Sequence, residues 1–107
     1  MPPVQEIDIH KVKEMDDRQN ATIVDIRDLG SYQEKRIPTA IHLSDDNVQE
    51  FISSADKEKP LVLYCYHGIS SQGAAAYFSG QGFKEVYSMT GGFEGWQAAF
   101  PNSSEDE

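Results

Sequence analysis

The chain has 107 residues, 38% hydrophobic and 25% charged, with a formal net charge of −9. That length supports one core and one domain. The acid excess argues against nucleic acid, which needs clustered Lys and Arg, and no apolar run approaches the length of a membrane span. The stretch Met1-Pro2-Pro3-Val4-Gln5 has no basic region leading into an apolar one, so no signal peptide is expected. One cysteine makes neither an internal disulfide nor a cysteine zinc site, and a reducing cytoplasm is the expected location.

Residues 1–5 read as a flexible N-terminus, 6–101 as the domain and 102–107 as a disordered acidic tail. Glu6-Ile7-Asp8-Ile9 alternates polar and apolar, as a short strand does. Asp8 is placed to cap a helix with Val12 and Met15 on one face. Ala21-Thr22-Ile23-Val24-Asp25-Ile26 is β-branched and almost wholly apolar, the pattern of a strand covered on both faces. Asp28 caps a short helix through Tyr32. Arg36-Ile37-Pro38-Thr39 is a turn set by proline, and Ala40-Ile41-His42-Leu43 is a third strand.

Ser44-Asp45-Asp46 opens a helix whose Val48, Phe51, Ile52 and Ala55 form a buried stripe, with acidic residues suited to the dipole at its start. Lys57-Glu58-Lys59-Pro60 is an exposed turn. Leu61-Val62-Leu63-Tyr64 is the most apolar strand and is expected at the centre. The next helix carries Ala74, Ala75, Tyr77 and Phe78 and ends at Gly80 or Gly82, with Gly73 allowing close approach of helix and strand. Glu85-Val86-Tyr87-Ser88-Met89 is a fifth strand. Thr90-Gly91-Gly92 turns into a helix that puts Phe93, Trp96 and Phe100 on one face. Strands alternate with helices over short connections, which predicts an α/β domain with a five-stranded, mainly parallel sheet and helices on both faces.

Cys65 stands where the fourth strand runs through Tyr66-His67-Gly68-Ile69 into Ser70-Ser71 and a helix. The first N–H groups of a helix lack partners within it and carry partial positive charge. A tight loop aims further N–H groups at the same point. A thiol held there is favoured as thiolate, and ligands of such sheets bind beyond the carboxyl ends of the strands. The plainer alternative is a small buried core residue. An acidic chain repels small anions, but distant charges are screened and no Asp or Glu lies between Cys65 and Ser71.

Asp25-Ile26-Arg27, the Cys65-Tyr66-His67-Gly68 loop with Ser70-Ser71, and Gly91-Gly92-Phe93-Glu94-Gly95-Trp96 occur in order at single-domain spacing. From about Glu6 to Pro101 the chain resembles the rhodanese family, in particular its single-domain thiosulfate sulfurtransferases. The resemblance implies a rhodanese fold, a persulfide on Cys65, thiosulfate as donor, sulfite as product and no cofactor. It also implies a thiophilic acceptor, either cyanide or a thiol such as a reduced thioredoxin-like dithiol. The chemistry suits a thiolate that needs no general base. The backbone from Tyr66 to Ser70 is expected to hold the persulfide and the oxyanions. Ser70 and Ser71 either add hydroxyls or cap the helix. His67 either brings a positive charge when protonated or only shapes the turn. Tyr66 walls the pocket, and Ile69 either gives the loop apolar footing or edges the mouth.

Asp25 and Arg27 are expected to make structural hydrogen bonds or an ion pair, and Phe93 and Trp96 to be core. His42 reads as structural and His10 shows no partner. The three histidines are too far apart for metal-ligand spacing. Lys35-Arg36 stands where the family often has Gly-His, adding two positive charges that either lie near the mouth or offset the acidic surface, the second being the default. The loop also departs from the Cys-Gly-Ser/Thr-Gly-Val-Ser/Thr pattern linked with mercaptopyruvate, which favours thiosulfate. A Cys-based phosphatase or arsenate reductase would need Arg six positions after the cysteine, where Ser71 stands. Two further alternatives are a non-catalytic module and a sulfur relay fed by another protein's persulfide, docked through the acidic surface.

Overall fold

The computed structural model describes residues 4–101. The expectation for the tail 102–107, and that for residues 1–3, fall outside the described residues. In chain order the elements are β1 (Gln5–Ile7), α1 (Ile9–Asp17), β2 (Thr22–Asp25), α2 (Leu29–Glu34), β3 (Ile41–His42), α3 (Val48–Ser54), β4 (Leu61–Tyr64), α4 (Ser70–Ser79), β5 (Val86–Met89) and α5 (Gly92–Ala99). β1 therefore takes in Gln5, the last residue of the stretch expected to be flexible.

The five strands form one sheet in the order β1-β5-β4-β2-β3, and all four pairings are parallel. β4 is central, and each of its four residues is buried, as its apolar sequence requires. Side chains alternate between two cores. Ile23, Val62, Tyr64 and Met89 face Val12 of α1 and Phe93 and Trp96 of α5. Val24, Leu61, Leu63 and Val86 face Ala75 and Phe78 of α4, with Phe51 and Ile52 of α3 packed beside them. Each large side chain buried this way contributes about 1.5–3 kcal/mol.

Local side-chain caps set the starts of two of the five helices, α1 and α2. Asp8 accepts from the Lys11 N–H at 2.9 Å, and Asp28 from the Ser31 N–H at 3.0 Å, as expected of caps. α3 differs from expectation. It begins at Val48 behind Asn47, because Ser44 to Asn47 form a turn in which the Ser44 N–H donates to Asn47 Oδ1 at 2.8 Å. Its stripe is half-buried rather than fully covered. Gly73 also departs from expectation. It is exposed on α4, and a Cβ there would meet nothing within 4 Å, so it allows no close approach to a strand.

Candidate active site

β4 delivers Cys65 to the carboxyl edge of the sheet, where it is 6% exposed. The loop that follows folds back over the sulfur. Sγ receives the Gly68 N–H at 3.1 Å and the Ser71 N–H at 3.3 Å, and Ser71 Oγ lies 3.5 Å away. Gly68 adopts φ +89°, and a Cβ there would sit 3.0 Å from the Gly91 nitrogen. Only glycine takes that conformation without strain. Burial pushes the Cys65 thiol up, but the Ser71 hydroxyl and the N–H groups of Ser71, Gly68 and His67 outweigh it and hold the thiol below its ordinary value. A sulfur that receives two backbone N–H groups is favoured as thiolate.

The cradle is braced from β5 and α5. Ser71 is completely buried, and its Oγ lies 2.7 Å from Ser88 Oγ on β5. The first amides of α5 grip the loop carbonyls. Phe93 N–H donates to Cys65 O at 2.8 Å and Glu94 N–H to Tyr66 O at 3.0 Å. Gly91 and Gly92 have φ +78° and +58°, and a Cβ on Gly92 would lie 2.5 Å from Tyr66 O. The glycine pair thus does more than turn the chain, since it lets α5 press against the backbone that carries the sulfur.

At the mouth, His67 Nδ1 lies 2.9 Å from Glu94 Oε2, both side chains exposed. The loop itself has no carboxylate, yet the fold brings one to it from α5. Tyr66 is 47% exposed, tilts against the His67 ring at 5.0 Å, and lines a cavity of about 80 Å³ with Arg27, Lys35 and Phe93. Ile69 is 74% exposed and is the N-cap residue of α4, with no side-chain capping bond. It provides no apolar footing. Ser70 is the first, exposed residue of the helix. Capping is therefore not what either serine does, because Ile69 takes the cap position and the Ser71 hydroxyl faces the sulfur.

Beside the cradle, at the end of β2, Arg27 donates to Asp25 from Nε at 3.0 Å and from Nη2 at 2.7 Å, with side chains 5% and 0% exposed. Arg27 Nη2 also reaches Lys35 O at 2.5 Å, and the guanidinium lies 4.3 Å from the Phe93 ring centre. Burial works against the Arg27 charge, but the bond to Asp25 prevails and the guanidinium pKa is raised. Burial, with Asp25 nearby, holds the Tyr64 hydroxyl in its neutral form.

Residues 8–99 match the family described as Rhodanese-like domain. The chain belongs to the rhodanese family. Among relatives, the thiosulfate sulfurtransferase GlpE of Coxiella burnetii is 54% identical over 86 residues, 80% of each chain. That of Pseudoalteromonas translucida is 44% identical over 99 residues, 92% of this chain and 94% of its own. Among solved structures, the rhodanese-like domain of an Anabaena protein superposes with a TM-score of 0.83 at 25% identity, covering 100% of this chain and 81% of that one.

Within this rhodanese domain the sequence left three contacts of the Cys65 loop unmarked, although Glu94 and the start of α5 stood in the Gly91–Trp96 motif. Ser88 was visible only as a polar residue at an inward position of β5. Glu94 and the amides of α5 lie more than twenty positions from Cys65, and no local pattern joins them to it. Among the described residues no three His, Cys, Asp or Glu side chains group to hold a metal ion, and no helix is long and apolar enough to cross a membrane. His42 Nε2 donates to Arg27 O at 2.6 Å. His10, expected to have no partner, packs edge-on against Phe100 at 5.3 Å.

Proposed function

We propose that this rhodanese is a thiosulfate sulfurtransferase that works through a persulfide on Cys65. The observation that carries the proposal is the sulfur at the end of β4, receiving two backbone N–H groups, with the buried Ser71 hydroxyl 3.5 Å away and, among the described residues, no charged side chain bonded to it. The names of relatives sharing about half of its residues support the same substrate. Cys65 thiolate attacks the outer sulfur of thiosulfate. Its S–S bond breaks, and sulfite leaves with the electron pair. The new S–S bond leaves a persulfide anion on Cys65, so charge balances. An acceptor then takes the outer sulfur and regenerates the thiolate. With cyanide the product is thiocyanate. With a dithiol, one thiolate takes the outer sulfur and the second thiol then displaces it as hydrosulfide, the dithiol being oxidised to a disulfide.

Gly68 and Ser71 donate to the sulfur through their N–H groups, and the backbone of Tyr66, His67, Ile69 and Ser70 shapes the rim that meets the oxyanions. His67 is paired with Glu94, and the anion is bound by backbone dipoles rather than by its charge. The phosphatase alternative lacks a guanidinium on the loop, and the buried Arg27 is engaged by Asp25 and the Lys35 carbonyl. A free thiol of this kind persists in a reducing cytoplasm, where we place the reaction.

Intact mass measured after thiosulfate, without acceptor, tests the proposal. A gain of about 32 Da that maps to Cys65 and disappears with cyanide is the expected result for a covalent shuttle. A folded protein that gains nothing from thiosulfate overturns it.

A further inference from the structure

We propose that Ser88 is a positioning residue, whose hydroxyl directs the Ser71 hydroxyl onto Cys65 Sγ. The inference rests on the sulfur chemistry proposed above, but it concerns a residue outside the loop. Ser88 is 1% exposed and Ser71 0%, so water supplies neither hydroxyl with a partner. Their oxygens are 2.7 Å apart, so one must donate to the other.

Two directions are open to this chain of hydroxyls. With a thiolate, Ser88 donates to Ser71 and Ser71 donates to the sulfur. With a thiol, Sγ–H points to Ser71 Oγ and Ser71 donates to Ser88. The first direction polarises both bonds toward a charge and strengthens them together. Ser88 also keeps Ser71 from turning away. A serine early in a helix otherwise bonds a carbonyl one turn back, which here would remove the hydroxyl from the sulfur.

The test compares Ser88→Thr with Ser88→Val. The two side chains have one shape and differ only in the hydroxyl. The measured quantity is the pH profile of Cys65 alkylation by iodoacetamide, with thermal melting as a check on folding. The titratable and charged groups around the loop are His67 and Glu94 at the mouth, Asp25, Arg27 and Tyr64 beside β4, and Glu6 near Gln72. They are the same in both variants.

The threonine variant is expected to keep the wild-type midpoint. The valine variant is expected to shift upward by about half a unit, which lowers the alkylation rate below the midpoint about threefold. Ser88→Ala makes the same comparison if the larger residues do not fold, and it should have no further effect once Ser71→Ala is present. Equal midpoints for threonine and valine, or an unshifted Ser88→Ala, overturn the inference. Failure of the wild type to take sulfur from thiosulfate would instead remove the proposed function, since alkylation is read without thiosulfate.

Discussion

Two neighbouring strands end in buried ionisable groups held in opposite ways. At the end of β2, the Asp25 carboxylate is neutralised by the Arg27 guanidinium through Nε and Nη2 and also accepts the Arg27 backbone N–H at 2.8 Å. At the end of β4, one position beyond the Tyr64 that pairs with Asp25, Cys65 is held by two N–H groups beside a hydroxyl, with no cation bonded to it among the described residues. Fixed dipoles stabilise an anion without neutralising it, so its electron pairs stay free to react. A bidentate ion pair consumes them. One arrangement holds the sheet end, and the other suits the exchange chemistry proposed for Cys65.

The largest effect expected from breaking this contrast comes at the sulfur. Cys65→Ser should lower thiosulfate-to-cyanide turnover at least about a thousandfold, since a serine hydroxyl in the same cradle does not ionise, while circular dichroism stays native. Turnover near the wild-type level would place the chemistry elsewhere. At the ion pair the loss should be in stability. Arg27→Met leaves Asp25 buried without its partner and should cost about 3–5 kcal/mol, which is about 12 °C or more in Tm for a domain of this size. A shift of only a degree or two would mean that the pair is not the closed structural element described here.

Between these lies the support they share. Gly92→Ala drives a Cβ against Tyr66 O from a left-handed backbone, and should cost about 1–3 kcal/mol with a proportionally larger fall in kcat/KM. Gly73→Ala, on an open stretch of helix, should instead stabilise by about 0.5–1 kcal/mol. Urea denaturation of the two variants reads the difference in sign.

A smaller effect separates the regions by pH. The folded Cys65 thiol is held below its ordinary value of 9.0. Between the lowered value and 9.0 the unfolded chain binds the extra proton, so the thiolate's contribution to stability is complete above 9.0 and is lost as pH falls through the folded value. The Tm difference between wild type and Cys65→Ser should therefore shift in favour of wild type as pH rises through that window, and alkylation should rise first. A flat difference would mean that the cradle does not favour the anion. Least of all is expected from the mouth. His67→Ala removes an exposed pair and should change stability by less than about 1 kcal/mol, and turnover at pH 8 should fall no more than about threefold, as backbone binding of the anion requires. A collapse in turnover would give the ring a direct part in binding.

Much of this was legible in the chain. Leu61 to Tyr64 is apolar at every position, which marks a strand covered on both faces, and the helix-forming run after Ser71 puts Cys65 between a strand end and a helix start. Asp8 and Asp28 announced their helices because capping is a local interaction. The misplacements have equally local causes. Ser44 and Asn47 bond each other and delay α3. Ser70 and Ser71 are adjacent and chemically alike, yet helical geometry turns one to solvent and the other to the sulfur. Gly73 looked like a contact because glycine permits close approach, but nothing approaches it.

By itself the sequence determined the alternation of strands and helices, the central strand and the single thiol at its carboxyl end, because periodicity and capping are short-range. Only the tertiary structure decided what meets that thiol. Ser88, Gly92, Phe93 and Glu94 reach the loop because β5 lies against β4 and α5 returns along the same sheet edge. A period of two or 3.6 residues states which way a side chain faces, and the packing of distant elements supplies what stands opposite.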